Sequence, residues 1–309
     1  MYALQKYSFL VTLTKESLPF TFFLAYLTWI VIFKFLSLSL ITYFFVVLTS
    51  PNSVELKEIS ETLNLFEIPI LGLASFLFVV FLDGFKTKYN AKNLTPSFTK
   101  ERTNFFLGFL RGLFFATSFV LFCIFTNHYQ YEGSFYYLFN TPLFFITFVF
   151  QIIGVGLLCY CEETLFRKKI LLSFSNSISF LPKIIFCSVF FCLIKVIQFD
   201  LQFLQVLTLF LVSVLLSIKS FNNSTFDFNT GLLCGLIICW STLFGLPVFN
   251  TDFSGILPIT INHDIVSPSG IEDYYSFLSG GKHGPLSSNL LQLTMIILCF
   301  FCWKKRNSL

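Results

Sequence analysis

Two adjacent carboxylates, Glu162 and Glu163, lie in a long apolar stretch of the chain, and a guanidinium follows at Arg167. A charged side chain in a bilayer is costly, so such groups usually face a protein interior or a water cavity and mark a functional site. A carboxylate placed there can act as a general base toward water. The pair is therefore the first candidate for chemistry, within the run Cys161-Glu162-Glu163-Thr164-Leu165-Phe166-Arg167.

On a helix, Glu163 and Arg167 are four residues apart and share a face, whereas Glu162 points about 100° away. We therefore expect Arg167 to hold Glu163 and to leave Glu162 free for chemistry. The alternative is a helix end within about a turn of the membrane surface. There Glu and Arg would pair, and the basic run Arg167-Lys168-Lys169 would only fix the topology.

The element that positions the pair is predicted to be a transmembrane helix. Of the 309 residues, 55% are hydrophobic and 12% are charged, and the mean hydropathy is +0.79. These values exclude an ordinary soluble domain and favour an integral, multi-pass membrane protein in the lipid bilayer. Stretches of about 17–25 apolar residues can cross the hydrocarbon. We predict an all-α bundle of about eight such helices, at residues 20–48, 64–82, 104–126, 142–166, 183–199, 201–218, 231–249 and 288–303.

The charge distribution predicts the orientation of this bundle. With the N-terminus inside, most of the 20 Lys and Arg residues fall in inner segments, as the positive-inside rule expects. Both termini are then cytoplasmic. We divide the chain into an N-terminal membrane region, 1–103, with two spans and a basic loop, and a membrane domain, 104–309. The net charge of +4 follows topology, so no nucleic-acid partner is expected.

The carboxylate motif resembles a known family. E-E-x-x-x-R with Phe directly before Arg is similar to the first motif of the CPBP family, which includes CAAX prenyl endopeptidases and Abi-type bacteriocin-immunity membrane proteins. The family's second motif, F-x-x-x-H, corresponds here to Phe191-Cys192-Leu193-Ile194-Lys195. Its third motif, G-L-H-A-G-W-N, corresponds to Gly235-Leu236-Ile237-Ile238-Cys239-Trp240-Ser241. The resemblance spans about residues 104–300.

The resemblance implies a site but also a loss of its imidazoles. In the family, the glutamates activate water, and the His and Asn groups bind a metal or stabilise the oxyanion. It thus implies catalytic roles for Glu162, Glu163 and Arg167, with Lys195 in place of one histidine, and allows a divalent metal. Ile237 replaces the other histidine and Ser241 replaces the asparagine. Phe191, Trp240 and Ser241 are the implied binding residues.

Three functions remain open on these grounds. The first is a pseudoenzyme with reduced or lost peptidase activity that binds hydrophobic or prenylated peptides or partner proteins. The second is an active intramembrane endopeptidase, a hydrolase in which Glu162 or Glu163 activates water. The third is a small-molecule or proton-coupled transporter in which Lys34 and Lys195 line a pathway with the two glutamates.

A few further residues give testable expectations. Lys34 either marks a break in the first span or faces the same interior as the glutamates. Gly231 and Gly235 form a G-x-x-x-G, which predicts a close helix contact. The three histidines, His128, His263 and His283, are predicted to be solvated loop residues.

Overall fold

We describe the fold from a computed structural model of the chain. It describes residues 18–36, 67–83, 98–131, 133, 142–174, 178–223, 226–249, 256–261, 278–280 and 283–307. Over this part of the chain, nearly all the residues are helical, because a backbone in lipid satisfies its polar groups most simply in helices. Large apolar side chains such as Phe114 and Phe145 are exposed on the outer faces of the helices, as contact with lipid requires.

Eight long helices lie in the described residues. The first two are α1, Leu18–Leu36, and α2, residues 67–83. They are followed by α3, Phe98–Phe125, and α4, which begins as Pro142–Glu163 and continues through a π-helical segment, Thr164–Ile170, to Leu171–Ser173. Next come α5, Phe180–Gln198, α6, Phe203–Asn223, and α7, Phe226–Ile237, which continues as a π-helical segment, Ile238–Leu243. The last is α8, Asn289–Asn307.

The all-α class is confirmed, but the predicted count of eight spans is not. Within the described residues, six helices are long and apolar enough to cross a membrane: α1, α3, α4, α5, α6 and α7. Helices α2 and α8 do not meet this standard. The predicted continuation of the first span to residue 48 lies outside the described residues.

Helix α7 is the centre of the bundle, with 72% of its span buried, against 22% for α1. It packs most extensively on α3. A Cβ added to Gly231 or Gly235 would collide with the backbone of Phe105 or Phe109, and Gly108 and Gly112 on α3 meet the α7 backbone in the same way. The predicted glycine contact is confirmed, with a second G-x-x-x-G as its partner.

The two regions assigned from sequence share one hydrophobic core. Phe23 and Tyr26 of α1 and Leu71 of α2 belong to the same buried cluster as Leu158 of α4 and Phe191 of α5. The proposed boundary at residue 103 stays a prediction.

Short extended and turn segments close one end of the bundle. Strands β1, Tyr129–Tyr131, and β2, Ile259–Ile261, pair antiparallel. Burial raises the pKa of Tyr129 well above its usual value, and its hydroxyl donates to the Ser279 carbonyl at 2.8 Å. The 3₁₀ turn Pro285–Ser287 is buried and packs on α6. The late loop is therefore partly folded into the protein.

Candidate functional site

Glu163 and Arg167 form the ion pair that their spacing predicts. Arg167 Nη1 lies 3.3 Å from Glu163 Oε1, and neither side chain is exposed to solvent. Arg167 Nη2 donates to Ser213 Oγ on α6 at 2.9 Å. The guanidinium thus joins α4 to α6 in the bundle interior.

Glu162 is also paired, so the expectation that it stays free is wrong. Lys195 Nζ on α5 lies 2.7 Å from Glu162 Oε1, and the side chains are 1% and 2% exposed. The proximity of Lys195 to the carboxylates, which followed from aligning it with the second motif, is confirmed. Each carboxylate has its own cation, and the four-residue cluster of Glu162, Glu163, Arg167 and Lys195 has no formal net charge.

Three aromatic rings surround the Lys195 ammonium. Its nitrogen lies 4.5 Å from the ring centroid of Phe249, 5.3 Å from Phe199 and 5.7 Å from Phe191. The central carbon of the Arg167 guanidinium lies 4.9 Å from the centroid of the same Phe191 ring. Cation–π contacts of this kind stabilise desolvated cations. Phe191, predicted to bind a ligand, therefore packs between the two cations of the cluster.

The cluster does not lie at a helix end. Beyond Glu163, α4 continues through the π-helical segment to Ser173, a rise of about 15 Å at 1.5 Å per residue. The interpretation of Arg167-Lys168-Lys169 as a surface run is wrong for two members. Arg167 is fully buried, and Lys169 is mostly buried and pairs with Asp83 of α2 at 2.5 Å.

The third-motif residues are buried but make other contacts. Trp240 Nε1 donates to the Ala116 carbonyl of α3 at 3.4 Å. Ser241 Oγ donates to the Ile237 carbonyl at 2.7 Å and lies 3.2 Å from Thr242 Oγ1. Both belong to the π-helical segment of α7. Within the described part of the chain, these hydrogen bonds join the segment to α3 and to its own helix and do not reach the carboxylates.

The two π-helical segments coincide with two of the motifs. One starts directly after Glu163 and contains Arg167, and the other contains Trp240 and Ser241. Within α-helices, π-turns are rare and are frequent at functional sites. The apolar spacing that predicts the helices does not predict these segments.

Sequence reasoning missed three fully buried polar residues on the helices around the cluster. The ring of Tyr26 of α1 packs edge-on against Phe166 of α4, and its hydroxyl lies 2.8 Å from Ser75 Oγ. Gln198 of α5 lies one turn after Lys195. Asn229 of α7 donates to Ser220 Oγ on α6 at 2.7 Å. In the sequence, the signal that could have found these residues is that each is polar within an apolar stretch.

One other expectation needs correction, and one stays a prediction. Lys34 lies on α1 two residues before Leu36, and the residues directly beyond Leu36 lie outside the described part of the chain. It lies 3.1 Å from Glu67 Oε1 and donates to the Gln198 carbonyl. His128 is only 7% exposed, with Nδ1 2.8 Å from Thr126 Oγ1, so it is not solvated. His283 is partly buried, and His263 lies outside the described residues.

The residues present do not fit the metal that the resemblance allows. Both carboxylates already face cations, at 2.7 and 3.3 Å. Across the described ranges, no group of three His, Cys, Asp or Glu side chains could hold a metal ion. Two carboxylates paired to Lys and Arg form a poor ligand set, since metal sites need free, deprotonated donors.

Comparison with known proteins gives no relative. Neither a scan against protein-family models nor searches of curated proteins and of solved structures match this chain.

Proposed function

We propose that this chain is a multi-pass membrane protein of the CAAX-endopeptidase and Abi-type architecture that binds apolar or prenylated peptides without cleaving them. The observation that carries the proposal is the pairing of both carboxylates. A general base has to lie within hydrogen-bond reach of the water that it activates. Here, Lys195 and Arg167 each lie against one oxygen of a carboxylate and compete with water for it.

Lys195 explains why the site is inactive in this proposal. It stands where the resembling family has an imidazole, and its ammonium lies against Glu162 at 2.7 Å. The three rings of Phe191, Phe199 and Phe249 favour the charged, bound ammonium. Peptidase chemistry would need Lys195 to leave both Glu162 and the rings, and Ile237 offers no group to replace it.

Binding without cleavage is consistent with the placement of the motifs. The two π-helical segments lie on α4 and α7, which pack against each other. A π-segment widens a helix turn and gives two packed helices a local point of adjustment. An apolar peptide in the bilayer would enter there, next to the paired charges, which would stabilise the bundle.

The test measures binding and cleavage on the same samples. Purified protein in lipid nanodiscs is incubated with matched prenylated and unprenylated peptides, and with Glu162→Ala and Glu163→Ala variants for comparison. We expect bound peptide and no cleaved product by mass spectrometry. Product formed by the wild type and lost in either variant would show an active endopeptidase instead. Absence of binding to every peptide would refute the binding role.

A second part of the same experiment restores the family's residues at the three motif positions where this chain differs. If the second and third motifs are aligned correctly, the combined Lys195→His, Ile237→His and Ser241→Asn variant gains peptidase activity on the bound peptides. A folded triple variant that binds peptide but cleaves none would show that these positions do not explain the lack of cleavage.

A further inference from the structure

Two cations from different helices lie against one buried aromatic ring. The Lys219 nitrogen, near the end of α6, lies 3.5 Å from the ring centroid of Phe228 on α7. The central carbon of the Arg111 guanidinium, on α3, lies 5.4 Å from the same centroid. Phe228 is buried, whereas Arg111 is exposed and Lys219 is partly exposed. Three helices thus hold two positive charges together where a ligand from outside the bundle can reach them.

These two charges have no acidic partner in the part of the chain described above. There, neither Arg111 nor Lys219 lies within ion-pair distance of a carboxylate, and Asp227, the residue before Phe228, pairs with neither. The ring attracts each cation, but the two cations repel each other. A negatively charged ligand that contacts both would remove this repulsion. The arrangement therefore favours an anion.

The pair lies at an end of the bundle that carries further cations. Two hydrogen bonds join α8 to backbone carbonyls of α6, and the later donor contacts the later carbonyl, so these helices run in the same direction. Lys219 is therefore at the end where α8 carries Lys304 and Lys305, both exposed. Trp303 precedes them. Basic residues and tryptophan together are typical of the membrane–water interface.

Arg111 lies on the lipid-facing side of α3. It is within the apolar span Asn104–Phe125. Leu107, Leu110 and Phe114 are exposed and lie three or four residues from Arg111, so they share its helix face. An arginine in such a place keeps its stem in apolar surroundings and extends its guanidinium to the headgroups. A ligand at this guanidinium would have an apolar surface beside it, as the acyl chains of a lipid require.

We propose that Arg111 and Lys219, both held on the Phe228 ring, bind the phosphate of an anionic phospholipid in the leaflet at that end of the bundle. The planar guanidinium fork can donate two parallel hydrogen bonds to phosphate oxygens, and the ammonium donates to a third. Basic groups between membrane helices recognise lipid headgroups in this way. The acyl chains lie along the exposed face of α3. The site uses none of the four charges of the Glu162 cluster and is independent of peptide binding.

The experiment counts bound lipids on the full chain by native mass spectrometry. Protein purified in a neutral detergent is titrated with dioleoyl phosphatidylglycerol. Dioleoyl phosphatidylcholine, which has the same acyl chains and a phosphate but no net charge, serves as the control lipid. We expect the wild type to bind the anionic lipid more tightly than the neutral one.

Two double variants remove equal charge from the same end of the bundle. The Arg111→Gln/Lys219→Gln variant is expected to lose affinity for phosphatidylglycerol by at least about tenfold, the usual effect of losing one charge-assisted hydrogen bond. The Lys304→Gln/Lys305→Gln variant is expected to lose far less, because exposed charges are screened by salt. Circular dichroism on each preparation checks the fold.

A single position keeps the proposal testable if the first double variant does not fold. Lys219→Arg retains a cation for the Phe228 ring and is expected to keep lipid binding, whereas Lys219→Gln is expected to weaken it. Equal binding by these two folded variants would contradict a role for the charge.

Three further outcomes would overturn the proposal. They are equal affinity of the wild type for the two lipids, equal losses in the two double variants, and displacement of phosphatidylglycerol by excess inorganic phosphate. The last result would assign the site to a soluble phosphate compound instead of a lipid. Peptide binding is measured on the same preparations and is expected to be unchanged in Arg111→Gln/Lys219→Gln, so failure of lipid binding and failure of peptide binding are distinguishable.

Discussion

Replacing Lys195 with methionine is expected to destabilise the bundle strongly. Methionine keeps the length of the side chain and removes the ammonium 2.7 Å from Glu162. The carboxylate is then left 2% exposed without its closest counter-charge. Removing one partner of a buried ion pair typically costs about 3–5 kcal/mol. The Arg167 guanidinium stays in the same cluster, so we expect the lower part of that range.

A partly exposed pair in the same protein supplies the matched control. Lys34 and Glu67 are 30% and 28% exposed, and pairs of that kind contribute about 0–1 kcal/mol. Lys34→Met is therefore expected to cost far less than Lys195→Met. The comparison holds the substitution constant and varies only the burial of the pair.

The double variant separates pairing from packing. Glu162→Gln/Lys195→Met leaves no unpaired buried charge, so its loss of stability is expected to be smaller than the sum of the two single losses. Stability is measured as the free energy of unfolding in mixed detergent micelles, followed by circular dichroism. A Lys195→Met loss no larger than that of Lys34→Met, or strictly additive single effects, would refute the buried ion pair.

Two further predictions concern the neighbouring contacts. Gly231→Ala is expected to cost about 1–3 kcal/mol by overpacking, because its Cβ would collide with the Phe105 backbone. Gly156→Ala, which meets nothing within 4 Å, should be neutral or slightly stabilising in the same unfolding measurement. Arg167→Lys keeps the charge but not the fork that reaches both Glu163 and Ser213, so we expect a loss of about 1–3 kcal/mol. Arg167→Met is expected to lose more, and equal losses would contradict the role of the charge.

The sequence predicts the parts of this molecule that depend on regular spacing. Apolar length gives the membrane helices, the i, i+4 rule gives the Glu163–Arg167 pair, and G-x-x-x-G gives the α7 contact. Each depends on neighbours along one helix or on one helix surface. The predicted count of eight spans is not confirmed, because within the described residues α2 and α8 do not meet the length and hydropathy that a span requires.

Contacts between helices that are far apart in the sequence are harder to predict from spacing. Placing Lys195 at the carboxylates depended on an alignment of motifs, and nothing in the spacing said which glutamate it would reach. The pairing of Glu162 was missed because a single helix face gives it no partner, and α5 supplies one. Tyr26 reaches the cluster from more than one hundred residues away in the chain, and such a contact depends on how the bundle packs.

The most direct test of the account is the arrangement of the four charges in an experimental structure of the protein in lipid nanodiscs. We predict Lys195 Nζ in direct contact with Glu162 and Arg167 in contact with Glu163, with Phe249 over the ammonium. Lys195 turned away, with a water molecule or a metal ion bound between the two carboxylates, would contradict the account and favour an active hydrolase.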